Sequence, residues 1–257
     1  MSRIWNFIKS WTVEMGSPPL FFQWSSKALP WLAIISIIVF SIGMVWGIFY
    51  SPTDYKQGDV YRIIYIHVPS AILGQSILMF MAICGFITVV WRVKISGMLI
   101  KSAASIGASF TLIALITGSI WGKPTWGTWW VWDARLTSTL ILFFIYTAII
   151  GLHSSLDDKT KADRAISILS LVGIAIIPII KKSVDWWYTL HQPSTFTLSS
   201  APSMAPDMYQ PLLVCVLGFY LIFAFLLTMN LRAEIVFREK NKTWVSKQYL
   251  NRQKNDK

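Results

Sequence analysis

Residues 30–50 read PWLAIISIIVFSIGMVWGIFY, a run of 21 residues without Asp, Glu, Lys or Arg. A helix that crosses a membrane hydrocarbon core of roughly 30 Å needs about 17–25 apolar residues. Five further uncharged, apolar runs follow along the chain, at residues 69–91, 102–121, 136–152, 165–180 and 211–229. The sequence therefore predicts an all-α membrane protein whose six transmembrane helices form a single integral membrane domain.

The composition of the 257 residues agrees with a membrane protein and excludes several other classes. Hydrophobic residues make up 54% of the chain and charged residues only 14%, with a mean hydropathy of +0.54 and a net charge of +11. A soluble domain carries about 25% charged residues. The two cysteines, Cys84 and Cys215, both lie inside predicted spans. These features exclude a disordered chain, a disulfide scaffold and an ordinary nucleic-acid-binding domain.

The distribution of Lys and Arg predicts how the helices are oriented. Among the segments that flank the six spans, the odd-numbered ones, which include both ends of the chain, hold 17 Lys and Arg, and the even-numbered ones hold 6. Because cytoplasmic loops collect Lys and Arg, we expect both termini in the cytoplasm and outer loops at about 51–68, 122–135 and 181–210. We also expect an amphipathic helix over residues 4–15 on the inner leaflet. Residues 230–257 are expected to form a basic cytoplasmic tail.

The predicted spans contain no charged residue, which argues against two classes of membrane protein. Ion-coupled transporters and proton pumps use intramembrane carboxylates or histidines as relays. An intramembrane enzyme that works by acid–base catalysis would also need carboxylates at that depth. The sequence therefore directs attention to the outer surface of the bundle.

The second predicted outer loop holds an unusual concentration of tryptophan. Residues 121–132 read WGKPTWGTWWVW and contain five of the fourteen tryptophans. An aromatic belt places tryptophans at both membrane interfaces, but it does not explain five at one junction. A short amphipathic outer helix after Pro124 would bring these rings and the next carboxylate onto one face, a platform that suits a large, planar, apolar ligand. The candidate platform residues are Trp121, Trp126, Gly127, Trp129, Trp130, Trp132 and Asp133.

Two of the three histidines lie in the outer loops on either side of this segment. His67 is in the first outer loop and His191 in the third, whereas His153 is predicted at the inner end of the fourth span. For a lone histidine near a membrane interface we expect a plain hydrogen-bonding role, and we assign that role to His153. Two imidazoles beside a tryptophan platform instead indicate haem, whose iron takes axial histidine ligands.

Haem also carries two propionates, which Arg or Lys can bind through charge-assisted hydrogen bonds. We expect Arg62 and Arg135 to hold them, although the helical projection places Arg135 opposite the platform. Contact with lipid headgroups is the alternative for each side chain. The other basic candidates in the outer loops are Lys123, Lys181 and Lys182.

Residues 126–137, WGTWWVWDARLT, resemble the tryptophan-rich WWD signature of haem-handling proteins in cytochrome c biogenesis. The number of spans, the predicted cytoplasmic termini and one histidine in each flanking outer loop are similar to the cytochrome c maturation protein C family (CcmC, HelC or haem exporter protein C). The resemblance covers roughly residues 25–235, and the signature shows no departure from the family pattern.

This resemblance implies a function at the outer, periplasmic face of a bacterial inner membrane. The WWD segment would bind haem b there as a transient cargo, with His67 and His191 as axial ligands to the iron. The protein would present haem to a periplasmic haem chaperone, CcmE, and would work with a small membrane subunit, CcmD, and the ABC transporter subunits CcmA and CcmB. The resemblance implies neither an enzyme activity nor a nucleic-acid partner.

Three other functions stay open on the sequence alone. A transporter could move haem or another apolar solute through the helix bundle. A haem or quinone oxidoreductase could turn over its substrate without a chaperone, but the sequence has no Cys-x-x-Cys pair and no flavin motif. A scaffold for the transporter subunits would need no haem site at all.

Overall fold

The computed structural model describes residues 17–192 and 202–248, and the elements in these ranges are helices. Six of the helical segments there are long and apolar enough to cross a membrane, as the sequence predicts. The expected amphipathic helix over residues 4–15 and the last residues of the expected tail, 249–257, lie outside the described residues. The six segments are Pro18–Tyr50, Asp59–Trp91, Lys94–Trp126, Ala134–Ser155, Lys159–Trp186 and Pro206–Glu239.

Seven α-helices make up these segments, and most extend beyond the uncharged runs at one or both ends. A π-helical turn, Trp46–Tyr50, continues the first helix, and a 3-10 turn, Asp59–Ile63, precedes the second. The α-helices are α1 (Pro18–Val45), α2 (Ile64–Trp91), α3 (Lys94–Trp126), α4 (Ala134–Ser155), α5 (Lys159–Gly173), α6 (Ile176–Trp186) and α7 (Pro206–Glu239).

A proline divides the fifth predicted span into two helices. Pro178 has no N–H to donate to the carbonyl of Ile174, and its ring would collide with that carbonyl in a continuous helix. The chain turns between α5 and α6 instead, where the Ile177 N–H donates to the Ile174 carbonyl at 3.0 Å. Residues 165–180 are therefore not one uninterrupted helix.

Helices α2 and α3 lie at the centre of the bundle, with α4, α5 and α7 packed around them. Tyr146 of α4 is fully buried and lies against Gly107 of α3, where a Cβ would overlap its ring. The Tyr146 hydroxyl donates to the carbonyl of Gly74 in α2 at 2.7 Å. One side chain thus joins three helices, and its polar atom is satisfied within the apolar core.

Helix α1 is attached to the bundle mainly along α7, through glycines on both helices. A Cβ at Gly43 would lie 2.8 Å from the backbone nitrogen of Cys215, and a Cβ at Gly218 would lie 2.8 Å from the Cα of Phe40. Small residues allow membrane helices to approach at backbone distance. The rest of α1 is largely exposed, as expected of a helix that faces lipid.

An ionic cluster lies at the end of the bundle that is predicted to be cytoplasmic. Arg238 donates from Nη2 to Asp163 Oδ1 at 2.8 Å and also bonds Glu234, one turn earlier on α7. Lys101 Nζ pairs with Glu234 Oε2 at 2.6 Å, and His153 Nε2 lies 3.3 Å from Arg238 Nη2. Residues 230–239 therefore continue α7 and pack into the bundle rather than forming a solvated tail, because their charges find buried partners there.

Candidate functional site

The three predicted outer loops converge at one end of the bundle. Trp121 Nε1, near the end of α3, donates to Gln57 Oε1 of the first loop at 2.7 Å. The hydroxyl of Thr189, in the third loop, donates to the Asp133 carboxylate in the second. These two hydrogen bonds join the loops into one surface, which we call the outer end.

The histidines of the first and third loops meet at this end. The ring centroids of His67 and His191 lie 6.5 Å apart with an interplanar angle of 32°. His67 lies in the first turn of α2, and His191 lies in the segment that follows α6. Both are partly buried. His153 lies at the opposite end, hydrogen-bonded to Arg238, as expected for a histidine with a structural role.

His67 is held against α3 by three neighbours. Its Nδ1 lies 3.1 Å from the hydroxyl oxygen of Thr117. The ring of Trp121 packs edge-on against the imidazole, with 5.6 Å between ring centroids. Gly118 leaves room for the ring, since a Cβ there would lie 2.9 Å from His67 Cε1. The imidazole therefore lies directly on the helix, in an orientation that the bundle determines.

His191 has a more strongly charged environment. Its Nδ1 lies 3.1 Å from Arg135 Nη1 and 3.2 Å from the carbonyl oxygen of Gln192. Trp126 packs against the imidazole with 6.1 Å between ring centroids. Burial and, next, the charge of Arg135 lower the pKa of His191 below its usual 6.5, whereas Asp133 acts in the opposite direction. The ring is therefore neutral at pH 7, the form in which imidazole binds a metal.

Asp133 contributes to the site by fixing backbone rather than by forming part of an aromatic surface. It is the N-cap of α4, and its Oδ1 accepts from the Leu136 N–H at 2.7 Å. Its other oxygen accepts from Thr189, whose hydroxyl oxygen in turn accepts the His191 backbone N–H at 3.1 Å. One carboxylate thus connects the start of α4 to the loop that carries His191.

The outer helix that was expected after Pro124, within the tryptophan-rich segment (residues 121–133), does not form. Helix α3 runs through Pro124 to Trp126, and Gly127 then adopts a left-handed conformation with φ 80°. Glycine at this position ends a helix at little steric cost. Residues 127–133 are irregular, and the next helix begins only after the Asp133 cap. The tryptophans therefore do not share one helical face.

The tryptophans divide into rings that contact the histidines and rings that do not. Trp121 packs on His67 and Trp126 on His191. Trp130 and Trp132 pack edge-to-face on each other at 5.5 Å. Trp132 and Trp129 are the exposed members, at 77% and 56%. The indole N–H of Trp130 is buried and has no acceptor among the described residues.

The structure separates the two arginines that were expected to act together. Arg135, in the first turn of α4, contacts His191, so the expectation that it points away from the site is wrong; that projection assumed a continuous helix, which Gly127 interrupts. Arg62 instead donates to Asp59 in its own loop, at 3.0 Å, and to the carbonyl of Ile48 in the π-helical turn that continues α1.

Comparisons with known proteins agree with the motif. The family described as "Heme exporter protein C" matches residues 11–246. The chain belongs to this family. The heme exporter protein C of Escherichia coli strain K12 is 47% identical over 239 residues, which cover 93% of this chain and 96% of the relative. The Haemophilus influenzae protein of the same name is 40% identical over 91% and 96% of the two chains, and that of Bradyrhizobium diazoefficiens is 43% identical over 88% and 86%.

For this member of the heme exporter protein C family, sequence reasoning missed residues that support the histidines. Thr117 lies one helical turn before Trp121, on the same face of α3, and that spacing could have indicated it. Thr189 lies two residues before His191, a spacing at which a threonine hydroxyl commonly accepts a backbone N–H. Gln57 carries no signal in the sequence, because only the folded loops bring it to Trp121.

Proposed function

We propose that this chain binds haem b at its outer end, with His67 and His191 as axial ligands, and delivers it to a periplasmic haem chaperone during cytochrome c maturation. Membership of the heme exporter protein C family supports a role in haem export or handling. The observation that carries the finer proposal is the spacing of the two imidazoles. We propose that haem is a transient cargo and that the protein has no enzyme activity.

The spacing suits one iron atom between the two rings. Two metal–imidazole bonds of about 2 Å each, with roughly 1 Å from each nitrogen to its ring centre, add up to roughly 6 Å. The two ring centroids are 6.5 Å apart. Two imidazoles supply two ligands, and a porphyrin supplies the remaining four in its plane. The pair therefore fits an iron that arrives with its own macrocycle.

Neighbouring side chains suit the rest of a haem molecule. Trp121 and Trp126 flank the histidine pair and offer apolar aromatic surface for a porphyrin. Arg135 could exchange its contact with His191 for a propionate, since an arginine–carboxylate hydrogen bond is the stronger of the two. The buried indole N–H of Trp130 is a further donor, with no acceptor in the described part of the chain. Arg62 would bind a propionate only after its ion pair with Asp59 is broken.

We propose that the site faces the periplasm and that partners complete the process. The chaperone CcmE would take haem from the outer end, and CcmD with the ABC transporter subunits CcmA and CcmB would assist release. A site on one surface of the bundle is accessible to a periplasmic chaperone without passage of haem through the helices. The excess of Lys and Arg in the odd-numbered flanking segments supports this orientation in the inner membrane, by the positive-inside rule.

The direct test is haem binding by the purified full-length protein in detergent. We expect a Soret band after expression with haem synthesis intact, and its loss in the double variant His67→Ala with His191→Ala. The matched control is His153→Ala, which removes the third histidine at the opposite end and should keep the band. The same three proteins, co-expressed with CcmE, should show haem-loaded chaperone only where the band is present.

Retention of the Soret band and of chaperone loading in the double variant would overturn the proposal. Haem flux into vesicles by this protein alone would favour a transporter instead. Catalytic turnover in the absence of the chaperone would favour an oxidoreductase.

A further inference from the structure

The two histidines differ in how their ring protons are held. A neutral imidazole has one N–H nitrogen and one nitrogen with a free lone pair. A metal-binding histidine usually donates its N–H to an oxygen, which leaves the other nitrogen free for the metal. The partner of Nδ1 therefore decides whether Nε2 is ready to bind iron.

Thr117 provides His67 with an oxygen that can only accept. Its Oγ1 lies 3.1 Å from His67 Nδ1. Its single hydroxyl hydrogen is directed at the preceding turn of α3, where Oγ1 lies 2.6 Å from the Ile113 carbonyl and 3.3 Å from the Ala114 carbonyl. Because that hydrogen is already in use, the imidazole must be the donor. The proton of His67 is thereby placed on Nδ1, and Nε2 keeps its lone pair.

The position of this hydrogen bond is fixed by two helices. Thr117 belongs to α3 and His67 to α2, the two central helices of the bundle. Gly118 brings the imidazole onto α3, and Trp121 packs against the same ring. The packed helices therefore hold the ring beside its acceptors on α3, which are the Thr117 hydroxyl and the Ala114 carbonyl.

Within residues 17–192 and 202–248, His191 has no comparable arrangement. Its Nδ1 faces a donor, Arg135 Nη1, at 3.1 Å and an acceptor, the Gln192 carbonyl, at 3.2 Å. The guanidinium favours a free lone pair on Nδ1, whereas the carbonyl favours a proton there. Of the two histidines, His67 is thus the one whose Nε2 is prepared by a fixed acceptor.

We propose that Thr117 is a positioning residue for haem capture, whose hydroxyl holds the proton of His67 on Nδ1 so that Nε2 is free for iron before haem arrives. The inference rests on the proposed function, in which His67 is an axial ligand. The same hydrogen bond raises the basicity of the ligating nitrogen and should strengthen its bond to ferric iron.

The first experiment reads the tautomer in the haem-free, full-length protein. Nitrogen-15 labelling of the three histidines, with assignment by His191→Ala and His153→Ala, distinguishes a protonated from an unprotonated ring nitrogen. We expect His67 in the wild type to carry its proton on Nδ1. In Thr117→Val, which keeps the branched shape and removes the hydroxyl, we expect a mixture of both tautomers. Thr117→Ser should restore the wild-type spectrum.

The second experiment measures ferric haem affinity and reduction potential. Loss of a hydrogen bond to a metal-ligating histidine typically costs 10–100-fold in affinity, and we expect about tenfold or more for Thr117→Val, with a rise in the potential. Thr117→Ser should lie close to wild type. The matched control is Thr88→Val, which loses the same type of intrahelical bond, to the Cys84 carbonyl, at the opposite end of α2 from His67.

The outcomes separate this inference from the proposed function. If wild-type His67 carries its proton on Nε2, the proposed role of Thr117 is wrong. The role is also wrong if Thr117→Val binds haem as tightly as Thr88→Val does while His67→Ala loses haem binding. In that second case the proposed haem site stands. If His67→Ala binds haem like the wild type, the proposed function fails, and the inference fails with it. A Thr117→Val affinity loss that Thr117→Ser reverses, together with the tautomer change, supports both.

Discussion

Single side chains at the outer end act through specific hydrogen bonds rather than through apolar area alone. Asp133 caps α4 and also holds Thr189, which binds the backbone of His191. Arg135 stands two residues later and faces the His191 imidazole itself. A conservative change at either position would leave the bundle intact and alter the chemistry of one ring.

Removal of the Arg135 charge should change the pH dependence of haem binding. Burial and Arg135 keep the pKa of His191 below its ordinary value, with Asp133 opposing them. Because the charged imidazole is the disfavoured form, His191 stays neutral into mildly acidic solution, and haem binding should weaken only as the pH falls through the lowered pKa. In Arg135→Gln the pKa of His191 rises, so binding should fall off at a higher pH.

The measurements are an NMR titration of His191 in the haem-free protein and the pH midpoint of haem loss. His67, whose ring lies 6.5 Å away, must be followed in the same titration. Lys56→Gln removes an exposed charge from the first outer loop at the same end and should leave both midpoints unchanged. An unchanged or lower His191 midpoint in Arg135→Gln would contradict the prediction that the Arg135 charge lowers the pKa of His191.

At the scale of the elements, the close approach of α2 and α3 forms half of the site. The uncharged runs predict that these two helices exist, but Gly118 decides how near His67 comes to α3. Pro178 and Gly127 act likewise through their backbone preferences. Pro178 divides a span into α5 and α6, and Gly127 ends α3 within the segment where a separate outer helix was expected. These residues were visible in the sequence, but their consequences depend on the surrounding packing.

Gly118→Ala should weaken haem binding, because the new Cβ meets the His67 ring. Alanine favours a helix by up to about 1 kcal/mol over glycine, but its Cβ would lie 2.9 Å from His67 Cε1 and displace the ring. We expect a loss of affinity of about tenfold or more, the usual size when the support of a metal-ligating histidine is disturbed. Haem titration and thermal unfolding of the same preparation provide the two readouts.

The control for this change is Gly151→Ala on α4, where the new Cβ would meet no described atom within 4 Å beyond its chain neighbours and its own helix backbone. It should bind haem like the wild type. Wild-type affinity in Gly118→Ala would show that the imidazole does not need its present position on α3.

At the scale of the whole molecule, the two ends of the bundle carry different chemistry. The outer end has the histidine pair and the tryptophan-rich segment, and the opposite end has the ionic cluster around Arg238. The side chains of Glu234 and Arg238 in that cluster are 3% and 11% exposed. Such a cluster joins α3, α4, α5 and α7 at one end, and we expect it to support the arrangement of helices on which the outer end depends.

Arg238→Met should destabilise the whole bundle, because the buried Asp163 carboxylate loses its arginine partner and Glu234 keeps only Lys101. Removal of one member of a buried ion pair costs about 3–5 kcal/mol. Unfolding by SDS titration in mixed micelles measures the change in free energy. Lys240→Met, which removes an exposed charge two residues later, should have little effect. Equal stabilities for the two variants would mean that the cluster contributes nothing to the fold.

The orientation of the molecule predicts which residues a membrane-impermeant thiol reagent reaches. Both native cysteines are buried. Labelling of a single introduced cysteine is therefore measured without background from the native thiols. Tyr55→Cys and Tyr188→Cys, at positions 88% and 91% exposed at the outer end, should react in intact spheroplasts. Lys240→Cys should react only after permeabilisation, and the reverse pattern would contradict a periplasmic site.

The sequence by itself determined the membrane class, the six spans and the family, because span length, charge-free composition and the WWD signature are local properties of the chain. It also pointed to His67, His191 and the tryptophan-rich segment as residue types suited to haem. The tertiary structure alone decided that the two imidazoles lie 6.5 Å apart, that Arg135 faces His191 and that Thr117 holds His67. Those contacts join residues more than 45 positions apart, so they depend on how the helices pack, which no local pattern encodes.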